Sequence, residues 1–368
     1  MAATTDADFM TMALTLAERG LGQVAPNPAV GCIIVRDGLV VGRGYTQSGG
    51  RPHAETVALA HAGDKARGAT AYVTLEPCAH TGKTGPCADA LIAAGIKRVV
   101  AAVADPDSRV AGRGFAMLEK AGIEVTEGVC MAKAVYLNQG FFLKVTDDRP
   151  LVTLKIASSV DGRTATKTGH SRWITDGPAR ERGHLLRATH DAIMIGSATA
   201  IVDDPTLTCR LPGLEGRSPV RIIADGRLRL PLTSKLVRSA TKVPVWVLTF
   251  PGGDMGRRKA FTDCGVELID VEVSASGLID MKAAMKSLSA RGLTRVLVEG
   301  GARIASSLVR GGLVDRVEWF RSSSIVGGDG YPAIAALGIE RVDEAPRLSL
   351  VGRLDLGDDT LSSYVMRS

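Results

Sequence analysis

Aromatic residues are scarce in this 368-residue chain, 4% of the total, and they form no stripe. There is no run of Lys or Arg and no nucleic-acid motif, so a nucleic-acid partner is not expected. No stretch approaches the ~18 consecutive apolar residues of a transmembrane helix, so no membrane partner is expected either. The opening residues, MAATTDADFM, carry acids where a secretory signal needs a basic region and an apolar run. The expected location is the cytoplasm. Six cysteines over this length do not make a disulfide framework; in a reducing compartment, paired cysteines more often bind metal or do chemistry.

What is present is an ordinary globular mixture, 45% hydrophobic and 23% charged. That supplies apolar surface for one or two sizeable cores and excludes disorder as the main state. The length corresponds to about 2.5 domains at ~150 residues each. The net charge of +6 comes from 45 basic residues scattered among 39 acids. It fits either a small anionic ligand or a mildly basic solvated surface.

Met10, Ala13, Leu14 and Ala17 have helical spacing, and Gly20 follows as a stop. GCIIVRDGLVVGRGY reads as a hairpin turning at Asp37-Gly38. HAETVALAHAG reads as a helix, ATAYVTLEP as a strand, CADALIAAG as a helix and KRVVAAVADP as a strand. GFAMLEKAG then reads as a helix and IEVTEG as a last strand. Strands alternating with short helices predict a mostly parallel sheet covered by helices. The pattern breaks at Thr146-Asp147-Asp148-Arg149-Pro150, read as a linker between domains 1–147 and 148–368. A second α/β domain follows, with strands at LVTLKIASS, DAIMIG, VRIIAD, VPVWVLTF, RVLVEG and DRVEWF. Helices are expected after DAIMIG and near MKAAMKSLSA and ARIASSLVRGG.

His53-Ala54-Glu55, Pro77-Cys78 and Cys87 stand out chemically. One His and two Cys supply three zinc ligands and leave the fourth tetrahedral position to water, the mark of a catalytic site. Glu55 opens the same helix as His53 and serves as a proton shuttle, in the H-x-E … P-C-x-x-C arrangement of zinc nucleobase deaminases. The cysteine spacing departs from that arrangement, because AHTGKTGP is inserted between Cys78 and Cys87. Gly82-Lys83-Thr84 is not a phosphate loop, since position 77 is Pro and not Gly. His80 is assigned to the pocket wall or loop surface rather than to the metal.

Three segments of the first half resemble the deaminase half of the bifunctional riboflavin-biosynthesis deaminase–reductase family. They are HAETVALAHAG, TAYVTLEPCAHTGKTGPCADALIAAGIKRVVAA and DPDSRVAGRG. That family has the long inter-cysteine loop. The resemblance implies a cytidine-deaminase-like three-layer domain. It also implies that PNPAVGC lines the pyrimidine pocket, with Asn27 bonding the base.

In the second half, Val298-Glu299-Gly300-Gly301-Ala302-Arg303 reads as a strand, a glycine pair and a helix start, either a turn that admits a phosphate or only a tight βα turn. Ile195-Gly196-Ser197 has the same form. LKIASSVDGRTA, SRWIT, HLLRA, ATAIVDDPTLTCR and VLVEGGARIASSL are similar to the reductase half of the same family, which has a dihydrofolate-reductase-like fold. The resemblance implies NADPH contacts at Ala157, Trp173, Thr199, Asp203 and Gly226, and at Gly301, Ala302, Arg303, Ile304, Ala305, Ser306 and Ser307. It implies contacts to the ribosyl-phosphate substrate at Ser171, Arg187, Leu207, Arg210 and Glu299. Arg187 and Arg210 suit a 5′-phosphate clamp, because guanidinium pairs bidentately with phosphate. Lys155 and Asp161 are candidate polar groups near the reacting sugar. Choice of NADPH over NADH requires a cation at the adenosine 2′-phosphate. Arg227 is the first candidate, and Arg257 and Arg258 are the next.

The expected function is therefore zinc-dependent deamination of a diaminopyrimidinone ribosyl phosphate, then NADPH-dependent reduction of its ribosyl group to ribityl, in a homo-oligomer. The alternative is a zinc nucleobase-editing deaminase carrying a non-catalytic C-terminal binding module.

Overall fold

The computed structural model describes residues 4–79, 85–107 and 111–367. The chain divides into two compact units, Met1–Asp148 and Arg149–Ser368.

The first unit opens with α1 (Asp6–Ala17), which buries Met10, Ala13, Leu14 and Ala17 together with Phe9. Its start is fixed by a reciprocal cap: Asp8 N–H donates to Thr5 Oγ1 and Thr5 N–H donates to Asp8 Oδ2. Then come β1 (Gly31–Arg36) and β2 (Leu39–Tyr45), joined by Asp37 and Gly38 at φ 51° and 75°. Two positive φ values match the right-handed twist of a hairpin. The rest is α2 (Ala54–Ala62), β3 (Thr70–Val73), α3 (Cys87–Ala93), β4 (Arg98–Ala101), α4 (Arg113–Lys120), β5 (Glu124–Thr126) and α5 (Met131–Asp147).

The sheet order is β2-β1-β3-β4-β5. β3, β4 and β5 are parallel, whereas β1 pairs antiparallel with both β2 and β3. The sheet is thus mixed rather than mostly parallel, because a hairpin reverses direction at each step and a βαβ unit does not. Two glycines of β2 let α2 lie on the sheet. A Cβ on Gly44 would stand 2.3 Å from the Ala54 carbonyl oxygen, and one on Gly42 would stand 2.3 Å from that of Ala58. Ala54, Ala58 and Ala62 fill the same contact.

The first two residues of the expected linker are helix. Thr146 and Asp147 end α5, and only the left-handed Asp148 (φ 55°), Arg149 and Pro150 precede the next strand.

The second unit runs β6 (Leu151–Ser158), β7 (Arg163–Ala165), α6 (Gly177–Ala188), β8 (Ala192–Gly196), α7 (Ser197–Asp203), β9 (Val220–Ala224), α8 (Lys235–Arg238) and β10 (Val245–Thr249). It continues with α9 (Met255–Asp263), β11 (Glu267–Asp270), α10 (Met281–Ala290), β12 (Arg295–Glu299), α11 (Ala302–Arg310), β13 (Arg316–Arg321), β14 (Tyr331–Pro332), β15 (Leu348–Leu356) and β16 (Asp359–Met366).

Its nine-stranded sheet has the order β11-β10-β9-β8-β12-β6-β13-β16-β15. It is parallel from β11 to β13 and antiparallel through β16 and β15. Both faces of the parallel part are covered, so its central strands read as continuous apolar runs. Met194, Val296 and Val298 face α10 and α11, while Ile193, Ile195 and Leu297 share a core with residues of α6, α8 and α9. After β6 the chain steps through β8, β9, β10 and β11, then returns to insert β12 between β8 and β6. The carboxyl ends of β8 and β12 therefore meet where strand order reverses, the place open α/β sheets bind ligands.

Candidate active sites

His53 is the N-cap residue of α2, and Glu55 lies in its first turn, 3% exposed. Cys87 opens α3, and Cys78 follows β3. Two hydrogen bonds draw the cysteine segments together: Ala88 N–H donates to the Cys78 carbonyl at 3.2 Å, and Cys87 N–H donates to Cys78 Sγ at 3.3 Å. His53 Nδ1 lies 3.3 Å from Cys87 Sγ and 3.7 Å from Cys78 Sγ. All three ligand atoms fall within 4.8 Å of one another. A tetrahedral zinc with Zn–S ~2.3 Å and Zn–N ~2.1 Å needs its ligand atoms roughly 3.5–3.8 Å apart. The donor set and its spacing fit zinc. His80 and Gly82-Lys83-Thr84 lie outside the described residues.

Hydrogen bonding between the two thiols splits their acidities. Hydrogen bonding from Cys87 holds the Cys78 thiol down at about 4 against the opposing effect of burial, with His53 adding to the drop. The Cys87 thiol is pushed up by that hydrogen bond and by burial, and His53 is raised by its contact with Cys78. Burial raises the Glu55 carboxyl to about 7. A carboxyl poised there both takes and returns a proton near neutrality.

Two supporting residues, Glu76 and Gly114, escaped the sequence reading. Glu76, buried just before Pro77-Cys78, accepts N–H bonds from Asp105, Gly112 and Gly114 at 3.1, 3.0 and 2.9 Å. It ties Asp105, Gly112 and Gly114 to the cysteine segment. Gly114 admits the close approach, since a Cβ there would stand 2.0 Å from the Pro77 carbonyl oxygen. Asn27 donates its side-chain amide to the Gly50 carbonyl at 2.9 Å.

In the second unit, Glu299 ends β12, and Gly300 and Gly301 turn the chain into α11 at φ 80° and 89°. A Cβ on Gly301 would stand 3.2 Å from Thr199 Oγ1, so the β12–α11 and β8–α7 turns meet. Along α11, Ile304 and Ala305 point into the core, and the Ser306 hydroxyl donates to the carbonyls of Ala302 and Ala335. What Gly301–Ser307 offers a cofactor is therefore chiefly backbone N–H of the first turn, which has no acceptor within the helix. Asp203 ends α7 and is exposed. Ala157 lies on β6 opposite Phe320. Ser171 and Trp173 occupy an exposed segment before α6, where the Arg180 guanidinium stacks 4.8 Å from the Trp173 ring.

A cavity of about 220 Å³ opens beyond β9 and β10, lined by Gly226, Arg227, Thr249, Phe250, Gly253 and Arg257 among others. Arg257 donates to the Leu228 and Leu230 carbonyls, and Arg258 to those of Phe250 and Gly252 and to Asp270. Both are committed to holding the loops. Arg227 is exposed and pairs with no acid among the described residues.

The substrate candidates do not form the expected two-arginine clamp. Arg187 is locked to Glu299 by two hydrogen bonds of 2.7 and 2.8 Å and donates to the Thr208 carbonyl at 3.1 Å. Burial opposes ionisation of Glu299, but Arg187 and Lys155 outweigh it and hold the carboxyl at about 2. Lys155 stands opposite Glu299 in the β6–β12 register, its Nζ 5.4 Å from the Phe320 ring, and burial lowers its pKa. Arg210 is exposed, bonded to Thr206 Oγ1 at 2.9 Å, and its N–H donates to His184 Nδ1. Leu207, buried with φ 55°, is in the same loop. Asp161 is committed to the backbone, accepting from Val326 and Gly327 and from the Ser159 hydroxyl, which accounts for a carboxyl near 2.

A zinc-ligand set on a cytidine-deaminase-like domain, joined to a dihydrofolate-reductase-like domain, defines a two-domain deaminase–reductase. The cytidine and deoxycytidylate deaminase zinc-binding region matches residues 3–103, and the RibD C-terminal domain matches residues 150–362. The riboflavin biosynthesis protein RibD of Aquifex aeolicus is 40% identical over 354 residues, 96% of each chain. That of Escherichia coli is 40% identical over 365 residues, 96% of this chain and 97% of its own. Among solved structures, RibD of Acinetobacter baumannii superposes with a TM-score of 0.89 at 38% identity, over 99% of both chains. A deaminase/reductase from Thermotoga maritima gives 0.86 at 35% identity, over 98% of this chain and 99% of its own. The chain belongs to the RibD family of riboflavin biosynthesis proteins, bifunctional deaminases and reductases that use zinc and NADPH. No helix among the described residues is long and apolar enough to cross a membrane.

Proposed function

We propose that the chain performs two consecutive steps on one phosphorylated pyrimidine. The first half hydrolytically deaminates 2,5-diamino-6-ribosylamino-4(3H)-pyrimidinone 5′-phosphate. The second half reduces the ribosyl group to give 5-amino-6-ribitylaminouracil 5′-phosphate. The Thermotoga maritima protein is named for a diaminohydroxyphosphoribosylaminopyrimidine deaminase and a 5-amino-6-(5-phosphoribosylamino)uracil reductase. The observation that carries the reading is a buried carboxyl, Glu55, two residues from one of three ligand atoms that lie within 4.8 Å of each other.

His53, Cys78 and Cys87 hold the zinc. When bound, zinc supplies the Lewis acidity that activates water at neutral pH, and NADPH supplies the hydride. Glu55 takes the proton released by the attacking water and delivers it to the departing amine, which leaves as ammonia. Asn27 holds the pyrimidine.

In the second half, Gly226, Thr199, Asp203, Trp173, Ala157 and the turn Gly301–Ser307 seat the cofactor, and Arg227 reads its 2′-phosphate. Arg210 grips the substrate phosphate, and Leu207 and Ser171 flank it. Arg187 aims Glu299 at the ribosyl hydroxyls. Lys155, half enclosed beside Glu299, supplies the proton that accompanies the hydride.

The test is a single incubation with this substrate. Ammonia should appear without NADPH, and NADPH should be consumed only after deamination. NADPH oxidation that precedes ammonia release contradicts the order. A fragment from Arg149 onward should still bind NADPH, since it has its own core.

The same reading places the protein in the cytoplasm as a homo-oligomer. Edge strand β15, with Leu350, Val351 and Leu354 exposed, favours self-association. Sedimentation equilibrium checks it.

A further inference from the structure

Asn138 lies on α5, which contributes to neither set of candidate residues, yet its side chain is buried, 3% exposed. Its amide is used entirely by one residue. Oδ1 accepts the Ala29 N–H at 2.9 Å, and Nδ2 donates to the Ala29 carbonyl at 2.9 Å. This is the bond pair that one strand offers another, made here by a side chain 109 positions along the chain.

Ala29 follows Pro26-Asn27-Pro28. The next residue, Val30, is gripped from the other side: its N–H donates to Thr46 Oγ1 at 3.0 Å, and its carbonyl accepts the Thr46 N–H at 2.9 Å. Asn27 N–H donates to the Val24 carbonyl, and its Nδ2 donates to the Gly50 carbonyl. The Asn27 amide lies directly on Gly50, where a Cβ would come within 2.2 Å of Nδ2. Gly50 precedes His53 by three residues. With Nδ2 engaged, Asn27 Oδ1 makes no hydrogen bond among the described residues and is left for an N–H donor.

The geometry points to Asn138 as a positioning residue for the deamination: through Ala29 it fixes where Asn27 presents its amide to the pyrimidine. The inference rests on Asn27 as the base contact. Only a side chain with one donor and one acceptor side by side satisfies both groups of Ala29, and buried backbone groups are rarely left unpaired. Aspartate keeps the shape and the acceptor but sets an oxygen against the Ala29 carbonyl.

The experiment uses the zinc-loaded, full-length protein and four variants: Asn138→Asp, Asn138→Ala, Asn27→Ala and the double variant Asn27→Ala/Asn138→Asp. Asn138→Asp should raise the deaminase KM about tenfold and change kcat less than about threefold, the signature of lost binding geometry. Zinc content, and reductase activity on the deaminated substrate, should not change. The double variant should be no worse than Asn27→Ala alone, because both changes remove one contact.

An unchanged KM in Asn138→Asp beside a raised KM in Asn27→Ala overturns the inference alone. Multiplying effects in the double variant do the same. An unchanged KM in Asn27→Ala removes the base-contact reading and the inference with it. If Asn138→Ala does not fold, the isosteric Asn138→Asp decides. Should that variant also unfold or lose zinc, Asn138 is a structural residue and the inference fails.

Discussion

Arg187 and Glu299 form a fork-to-fork ion pair, Nε to Oε1 at 2.7 Å and Nη2 to Oε2 at 2.8 Å, between α6 and the end of β12. Both side chains are largely enclosed, at 15% and 11% exposure. Removing one partner strands a buried charge, which costs about 3–5 kcal/mol. Arg187→Leu should therefore lower the urea-unfolding free energy of the second unit by that amount and abolish reduction. Adding Glu299→Gln should restore much of the stability but not the activity. Arg210→Ala, by contrast, should raise the reductase KM and leave unfolding unchanged. A loss below about 1 kcal/mol for Arg187→Leu would place this pair with ordinary surface ion pairs.

Cofactor choice isolates one arginine. Arg227 is exposed at the cavity beyond β9 and β10, while Arg257 and Arg258 are engaged with carbonyl oxygens. Arg227→Ala should weaken NADPH binding by roughly 1.5–3 kcal/mol, the scale of a hydrogen bond to a charged group, and leave NADH binding almost unchanged. Equal loss for both cofactors, read by fluorescence titration, would mean that Arg227 supports the fold or the pyrophosphate.

The second unit should carry an acid-labile element at His190. Its Nδ1 donates to the Leu186 carbonyl at 2.7 Å, and its Nε2 lies 2.9 Å from the Thr153 hydroxyl, which donates to it when the ring is neutral. Burial, with help from Arg295 and Arg316, drops its pKa to about 3. The unfolded chain takes up this proton below about pH 6.5 and the folded chain does not. Stability is unaffected above that pH and falls as pH drops toward 3, by at most about 1.4 kcal/mol per pH unit. His190→Gln should flatten the dependence of urea unfolding between pH 6 and 4. An identical slope in the variant would contradict the neutral assignment.

Much of this was legible in the sequence, because local patterns carried it. Asp37-Gly38 announces the hairpin turn, and Pro52-His53 and Pro86-Cys87 announce the helix starts that present the ligands. α5 was not read, since Asn138 and Gly140 interrupt its stripe of Ala134, Leu137 and Phe141. The hairpin of β15 and β16 was missed as well; β15 is largely exposed and lacks clear apolar alternation. The Arg187–Glu299 pair was unreadable for another reason. Its members are 112 residues apart, and a guanidinium that could clamp a phosphate looks the same in sequence as one that holds a carboxylate.

The most direct test of the account is zinc content and ammonia release measured together on Glu55→Gln. His53, Cys78 and Cys87 bring their ligand atoms together without Glu55, and the proposed role of the buried Glu55 carboxyl is to move the proton. The variant should hold about one zinc per chain, as the wild type does, and lose deamination by at least ~100-fold, while Cys78→Ser should lose metal and activity together. A Glu55→Gln protein that loses its zinc, or that still releases ammonia at the wild-type rate, contradicts the account.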